Sequence, residues 1–165
     1  MNGMGGHQCN EMLSDTWLTP PEIISDLGPF DLDPCAPIVR PWETAKRSYT
    51  VEDNGLLQEW SGFVWCNPPY GTQTGIWLDR LALHGNGIAL IFARTETTMF
   101  FNSVWNKATS LLFIKGRLFF YYIDGIRAKA NSGAPSVLIA YGKEADIRLR
   151  RSKIKGKYIT LHELL

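Results

Sequence analysis

The chain has 165 residues, enough for one domain with a sizeable core. Hydrophobic residues make up 45% and charged residues 20%, which excludes a disordered or fibrous chain. A formal net charge of +1 excludes a global field drawing it to nucleic acid or membrane, so any such binding must come from local patches.

Cys9, Cys35 and Cys66 are odd in number and widely spaced, which argues against a disulfide framework and predicts a reducing, cytoplasmic location. His7, His84 and His162 stand at no zinc-type spacing with them, so no metal is expected. No apolar run approaches the ~20 residues of a membrane span, so no membrane partner is expected. The start, Met1 to Asn10, is Gly-rich and polar without a signal-peptide pattern. Residues 1–14 are expected to form a flexible arm.

In chain order, helix-like and strand-like segments alternate. Thr19-Pro20-Pro21-Glu22 predicts a helix start, with Thr19 as the cap, Pro20 in the first turn and Glu22 in the capping-box position. Ile23, Ile24 and Leu27 give it an apolar face, and Gly28-Pro29 ends it. Phe30-Asp31-Leu32-Asp33 reads as a short strand running into Pro34-Cys35-Ala36-Pro37. Residues 38–49 are irregular and partly basic, and residues 51–60 have room for one short helix. Phe63-Val64-Trp65-Cys66 predicts a buried strand running into Asn67-Pro68-Pro69-Tyr70. Residues 76–84 predict a helix that turns Ile76, Trp77, Leu81 and Leu83 inward.

Residues 87–93 are continuously apolar, as buried parallel strands are. A helix over 97–107, a strand over 111–114, a polar loop over 124–135 and a returning strand over 136–142 complete the pattern. The alternation predicts a single-domain α/β fold, its sheet mostly parallel with an antiparallel strand pair at the C-terminal end.

Asn67-Pro68-Pro69-Tyr70 is chemically the most coherent stretch. Pro68 and Pro69 have no backbone N–H, so the segment offers carbonyl acceptors and few donors. Each proline also holds the residue before it extended, which fixes where the carbonyls point. Asn67 adds a side-chain carbonyl and Tyr70 a flat aromatic face. Such a set suits a planar group with an exocyclic amine: two acceptors take the two amine hydrogens while the ring stacks on the tyrosine. The same residues also suit a plain rigid turn. Placement favours the first reading. Ligands of α/β sheets bind at the carboxyl ends of the strands, and both Asp33-Pro34-Cys35-Ala36 and Asn67-Pro68-Pro69-Tyr70 fall at such ends.

Trp17-x-Thr19-Pro20, Leu32-Asp33-Pro34-Cys35-Ala36 and Asn67-Pro68-Pro69-Tyr70-Gly71 follow one another in an order that resembles the S-adenosylmethionine-dependent amino-methyltransferases. The chain resembles more closely the small phage-type DNA N6-adenine methyltransferases. There the likeness extends to Lys115-Gly116-Arg117-Leu118-Phe119-Phe120 and Gly133-Ala134-Pro135-Ser136-Val137-Leu138, and so spans roughly residues 15–142. The resemblance implies an abbreviated Rossmann-like methyltransferase domain over 15–165, including a basic C-terminal segment 144–165, encoded by a phage and acting in the bacterial host cytoplasm.

It implies methyl transfer from S-adenosylmethionine to the N6 amine of adenine in double-stranded DNA. Asn67 Oδ1 and the Pro68 carbonyl would hold the amine for attack on the sulfonium methyl, with Pro69 and Tyr70 completing the catalytic motif. Tyr70 would stack on an adenine flipped out of the duplex. Asp33, Pro34, Cys35 and Ala36 would contact the cofactor, joined by Trp17 and Thr19 from the N-terminal segment and by Asp53. Each has a plainer alternative: a strand-end acid for Asp33, a turn acid for Asp53, and a core tryptophan and helix cap for Trp17 and Thr19. The family continues from the cofactor motif into a Gly-rich turn, whereas Pro37-Ile38-Val39-Arg40 follows here without a glycine. Cytosine N4, a protein glutamine, or a non-catalytic nucleic-acid-binding role remain alternative readings.

No residues are left over for a separate DNA-recognition domain, so loops and the tail must supply the contacts. Arg94, Lys115 and Arg117 follow strands, and Arg148, Arg150, Arg151 and Lys153 belong to a basic run without acids over 148–157. These are the candidate phosphate contacts; the same run also suits a solvated face. The alternation Ile147-Arg148-Leu149-Arg150 suits an edge strand guarded by charge.

Overall fold

The structure, a computed structural model, describes residues 16–162. The expected N-terminal arm, with His7 and Cys9, lies outside the described residues. Helix α1 (Pro21–Leu27) leads to strands β1 (Leu32–Asp33) and β2 (Arg47–Ser48), then to a 3-10 turn at Gly55–Leu57. Strand β3 (Val64–Cys66), helix α2 (Thr74–His84) and strand β4 (Gly87–Phe92) follow. Helix α3 (Thr98–Phe100) runs into a π-helical turn (Phe101–Trp105), followed by β5 (Ser110–Ile114), β6 (Ser136–Tyr141), helix α4 (Lys143–Arg151) and β7 (Gly156–Thr160).

All strands join one seven-stranded sheet in the order β2-β1-β3-β4-β6-β5-β7. The α/β class expected from the sequence is present, but the mostly parallel sheet is corrected. Only the β2-β1-β3-β4 half is parallel. The pairings β4 with β6, β6 with β5 and β5 with β7 are all antiparallel. The cause is the connection between β5 and β6, which carries no helix to make a crossover; β6 therefore folds back and slots between β4 and β5. Every residue of β6 is buried, so its apolar run has the composition of a parallel strand.

Helices cover both faces. Trp77, Leu78 and Leu81 of α2 pack with Phe100 and Val104 on one side. Ile23 and Leu27 of α1 pack with Ala145 and Leu149 of α4 on the other. In α2 the inward set is Thr74, Trp77, Leu78 and Leu81, an i, i+3, i+4, i+7 stripe that leaves Ile76 and Leu83 exposed, contrary to the expected facing.

Residues 147–150 form part of α4 rather than an edge strand, because Ala145 and Leu149, one helical turn apart, both reach the core. The edge strand on that side is β7, carrying the exposed Lys157. No helix among the described residues is long and apolar enough to cross a membrane.

Candidate active site

Strands β1 and β3 are parallel neighbours, with Leu32 opposite Val64, so the loops after Asp33 and Cys66 leave the sheet side by side. Between them lies a cavity of about 900 Å³. Trp17, Thr19, Asp33 to Ala36 and Asn67 to Tyr70 all line it, so most of the residues expected at the site meet there.

The carbonyls of the Asn67-Pro68-Pro69 segment are not equivalent. The Cys35 thiol donates to the Asn67 main-chain oxygen at 3.3 Å. The Thr74 hydroxyl, in the first turn of α2, donates to the Pro69 oxygen at 2.7 Å. The side-chain amide of Asn67 donates from Nδ2 to Thr19 Oγ1 at 3.1 Å. Among the described residues no group donates to Asn67 Oδ1 or to the Pro68 carbonyl. Two acceptors on adjacent residues of one rigid segment therefore stay without a donor among the described residues.

Thr19 was expected to cap α1 or to touch a cofactor. The N-cap is instead Pro20, without a side-chain cap, and the Thr19 hydroxyl is turned to Asn67. With Thr19 only 3% exposed, this is a buried contact.

Tyr70 lies at the mouth, 43% exposed, and stacks on Phe92 with ring centroids 4.4 Å apart and planes 6° from parallel. Phe92 is the last residue of β4, so the sheet itself fixes the plane of the tyrosine. Phe92 was not a candidate from the sequence; its signal is an aromatic residue at a strand end. Nearby, Trp17 packs against Tyr122 with centroids 5.2 Å apart, and Trp42 meets Tyr121 edge-on at 5.3 Å.

The side of the cavity that follows β1 is organised around Asp33. Its Oδ1 accepts from the Cys35 backbone N–H at 3.1 Å, and its Oδ2 accepts from the Thr44 hydroxyl. Burial pushes its carboxyl up to about 6, although both hydrogen bonds and the nearby Arg40 pull the other way. Cys35 Sγ lies 3.8 Å from Cys66 Sγ. That contact and burial hold the Cys35 thiol well above its ordinary range, so it stays a neutral S–H donor.

The glycine missing after Ala36 has a counterpart further along. A Cβ on Gly55 would stand 1.9 Å from the Pro34 oxygen, so only glycine allows this close approach. Asp53 takes the plainer of its two readings: its Oδ2 accepts from the Thr50 backbone N–H at 2.7 Å, and it does not line the cavity. Asn54, next to it, does line the cavity and has a left-handed backbone, φ 52°.

The basic candidates separate into two groups. Phe92 of β4 pairs with Ser136, Phe113 of β5 with Val137, and Ile114 with Gly156, which brings these strand ends together. Arg94, Lys115 and Arg117 are exposed at that end, and the Lys115 N–H bonds the Lys155 carbonyl at 2.9 Å. Arg148 sits elsewhere. It donates to the Leu27 and Pro29 carbonyls at 2.9 and 3.0 Å, pairs with Glu144 at 2.5 Å and lies 4.1 Å over Phe63. Arg150 pairs with Asp146 at 3.1 Å and reaches the Tyr158 hydroxyl. Arg151 lines a separate groove with Asp26 and Glu144, while the Lys153 backbone N–H bonds Asp26 at 3.1 Å and leaves its side chain exposed.

Fold and site together define an α/β protein with a cavity at the strand ends, lined by both motif-bearing loops. The family model for DNA N-6-adenine-methyltransferase (Dam) matches residues 6–155, and the chain belongs to that family. Comparisons with the curated proteins and with the solved structures gave no match.

Proposed function

We propose that the protein transfers a methyl group from S-adenosylmethionine to the N6 amine of adenine in DNA. The observation that carries this is the pair of unoccupied acceptors, Asn67 Oδ1 and the Pro68 carbonyl, set beside the exposed ring of Tyr70. An exocyclic amine has two hydrogens and a ring in the same plane, which is what two acceptors and one aromatic face would hold. Both acceptors stand where positive charge grows on the attacking nitrogen, and they are fixed before the reaction starts. Holding the amine in one orientation supplies a further part of the rate. An adenine must leave the duplex to enter, and Tyr70, held flat by Phe92, gives it a surface to stack on.

The residues fit the cofactor. The cavity of about 900 Å³ has room for a nucleoside joined to an amino acid, Asp33 offers an acidic group at one wall, and Gly55 keeps its backbone close to Pro34. The Trp77 indole N–H, in the same lining, is buried without a partner among the described residues. Trp17, Asp33, Pro34, Cys35 and Ala36 would hold the group, which supplies an electrophilic methyl when bound. Asp53 and Thr19 leave this set, the first because it faces Thr50 and the second because its hydroxyl serves Asn67. Arg94, Lys115, Arg117, Arg151 and Lys153 are the proposed phosphate contacts, together with Lys155 and Lys157. Arg148 and Arg150 are assigned to the fold instead.

The test is incubation with unmethylated DNA and S-adenosylmethionine, followed by digestion to nucleosides and mass spectrometry. N6-methyladenine is expected. Its absence beside a working control enzyme contradicts the proposal, and N4-methylcytosine would move the target to cytosine. Asn67→Ala should lower product formation at least about 10²-fold, the scale for losing one preorganised partner of a transition-state charge.

A further inference from the structure

We infer that Thr19 is a positioning residue for the methyl-transfer step, acting through Asn67 rather than on the cofactor. The inference rests on the reading of function above. It starts from a matter of satisfaction. An asparagine amide has one acceptor end and one donor end, and the two ends are exchanged by a half-turn of the side chain. For Asn67 Oδ1 to face an incoming amine, the NH₂ end must point away from it. There it needs an acceptor, because an unpaired buried donor is costly.

Thr19 Oγ1 is the acceptor at that end, 3.1 Å from Nδ2, and it is the one acceptor for this group among the described residues. Thr19 is buried, and it reaches Asn67 from 48 residues away in the chain. Its own segment is pinned nearby, with the Leu18 N–H and carbonyl both bonded to Tyr121, at 2.9 and 3.0 Å. Cys35 holds the main-chain oxygen of the same asparagine from the other loop. Asn67 is thus gripped at its amide and at its backbone, and Oδ1, the acceptor the proposed reaction needs, has no donor among the described residues.

A cofactor role for Thr19 and a positioning role for it make opposite demands on measurement. If Thr19 acts through Asn67, removing its hydroxyl leaves the NH₂ unpaired in the state where Oδ1 holds the amine. The turnover number then falls, while cofactor binding does not change. If Thr19 contacts the cofactor, the cofactor dissociation constant rises instead.

The experiment measures kcat on unmethylated DNA and the Kd for S-adenosylmethionine by calorimetric titration, using wild type, Thr19→Val, Thr19→Ala and Thr19→Ser. Thr19→Val is expected to lower kcat about tenfold or more, with Kd within about twofold of wild type. Thr19→Ser keeps the hydroxyl and should restore most of kcat. Thr19→Ser and Thr19→Ala differ only by that hydroxyl, so their ratio reads its contribution even if Thr19→Val fails to fold. Equal kcat for the serine and alanine variants overturns the inference, as does a raised Kd with unchanged kcat. A wild-type protein that methylates no DNA overturns the functional reading itself, and this inference with it. A methylating wild type with an equally active Thr19→Ala overturns this inference alone.

Discussion

Asp33 shows how a single side chain ties the fold to pH. Its carboxyl is pushed up to about 6 by burial, against an ordinary value of 3.8. A raised carboxyl means that the folded protein binds a proton more readily than the unfolded chain does. Its contribution to stability is therefore full below about pH 4 and is lost as pH rises through about 6. The proposed cofactor binding would run the other way, since the cationic ammonium of S-adenosylmethionine would favour the ionised carboxylate. Calorimetric titration with S-adenosylmethionine should show binding that tightens between pH 5 and 7, and Asp33→Asn should flatten that dependence. A wild-type affinity that is constant over the range would remove Asp33 from the cofactor site. The residue types of Asp33 and Asn67 could be read from the sequence because their chemistry resides in the side chains themselves. The roles of Thr19, Cys35 and Thr74 could not be read in that way. Cys35 and Thr19 act on Asn67 across 32 and 48 residues of chain, and no local pattern encodes such a contact.

At the scale of elements, the loops after β1 and β3 are shaped by neighbours distant in sequence. Gly55 closes the wall of the cavity against Pro34, whereas the family resemblance puts glycines directly after Ala36. Gly55→Ala puts a methyl group 1.9 Å from the Pro34 oxygen, so the backbone must move. A loss of about 1–3 kcal/mol of stability and weaker cofactor binding are expected, measured by thermal unfolding and titration.

The basic segment divides in a comparable way. Arg148 joins the end of α1 to α4 and the Phe63 ring, so Arg148→Ala should lower stability by about 1–3 kcal/mol while leaving DNA affinity at fixed salt unchanged. Arg117→Ala should do the reverse: stability is kept, affinity falls, and the slope of log K against log salt drops by about 1. Local alternation suggested a strand at 147–150, but two apolar residues one helical turn apart decided for a helix.

At the scale of the molecule, the sheet joins two halves with different tasks. The parallel half sends two motif-bearing loops to one end, which is why their position at the carboxyl ends of strands could bring both motifs together in the sequence reading. The antiparallel pair expected at the C-terminal end is present as β5 and β6, but the insertion of β6 between β4 and β5 could not be foreseen, because β6 is buried on both faces and its composition does not reveal its direction or neighbours. The antiparallel half carries Arg94, Lys115 and Arg117 to the same end as the cavity, so the proposed phosphate contacts and base capture would share one surface.

The central claim is that Asn67 Oδ1 and the Pro68 carbonyl are left free in order to hold an adenine amine. It is tested most directly by a crystal structure of the protein with S-adenosylhomocysteine and adenine-containing DNA. A flipped adenine is expected, with its N6 within about 3.2 Å of both oxygens and its ring against Tyr70. An adenine seated elsewhere, or an amine bound to neither oxygen, would contradict it.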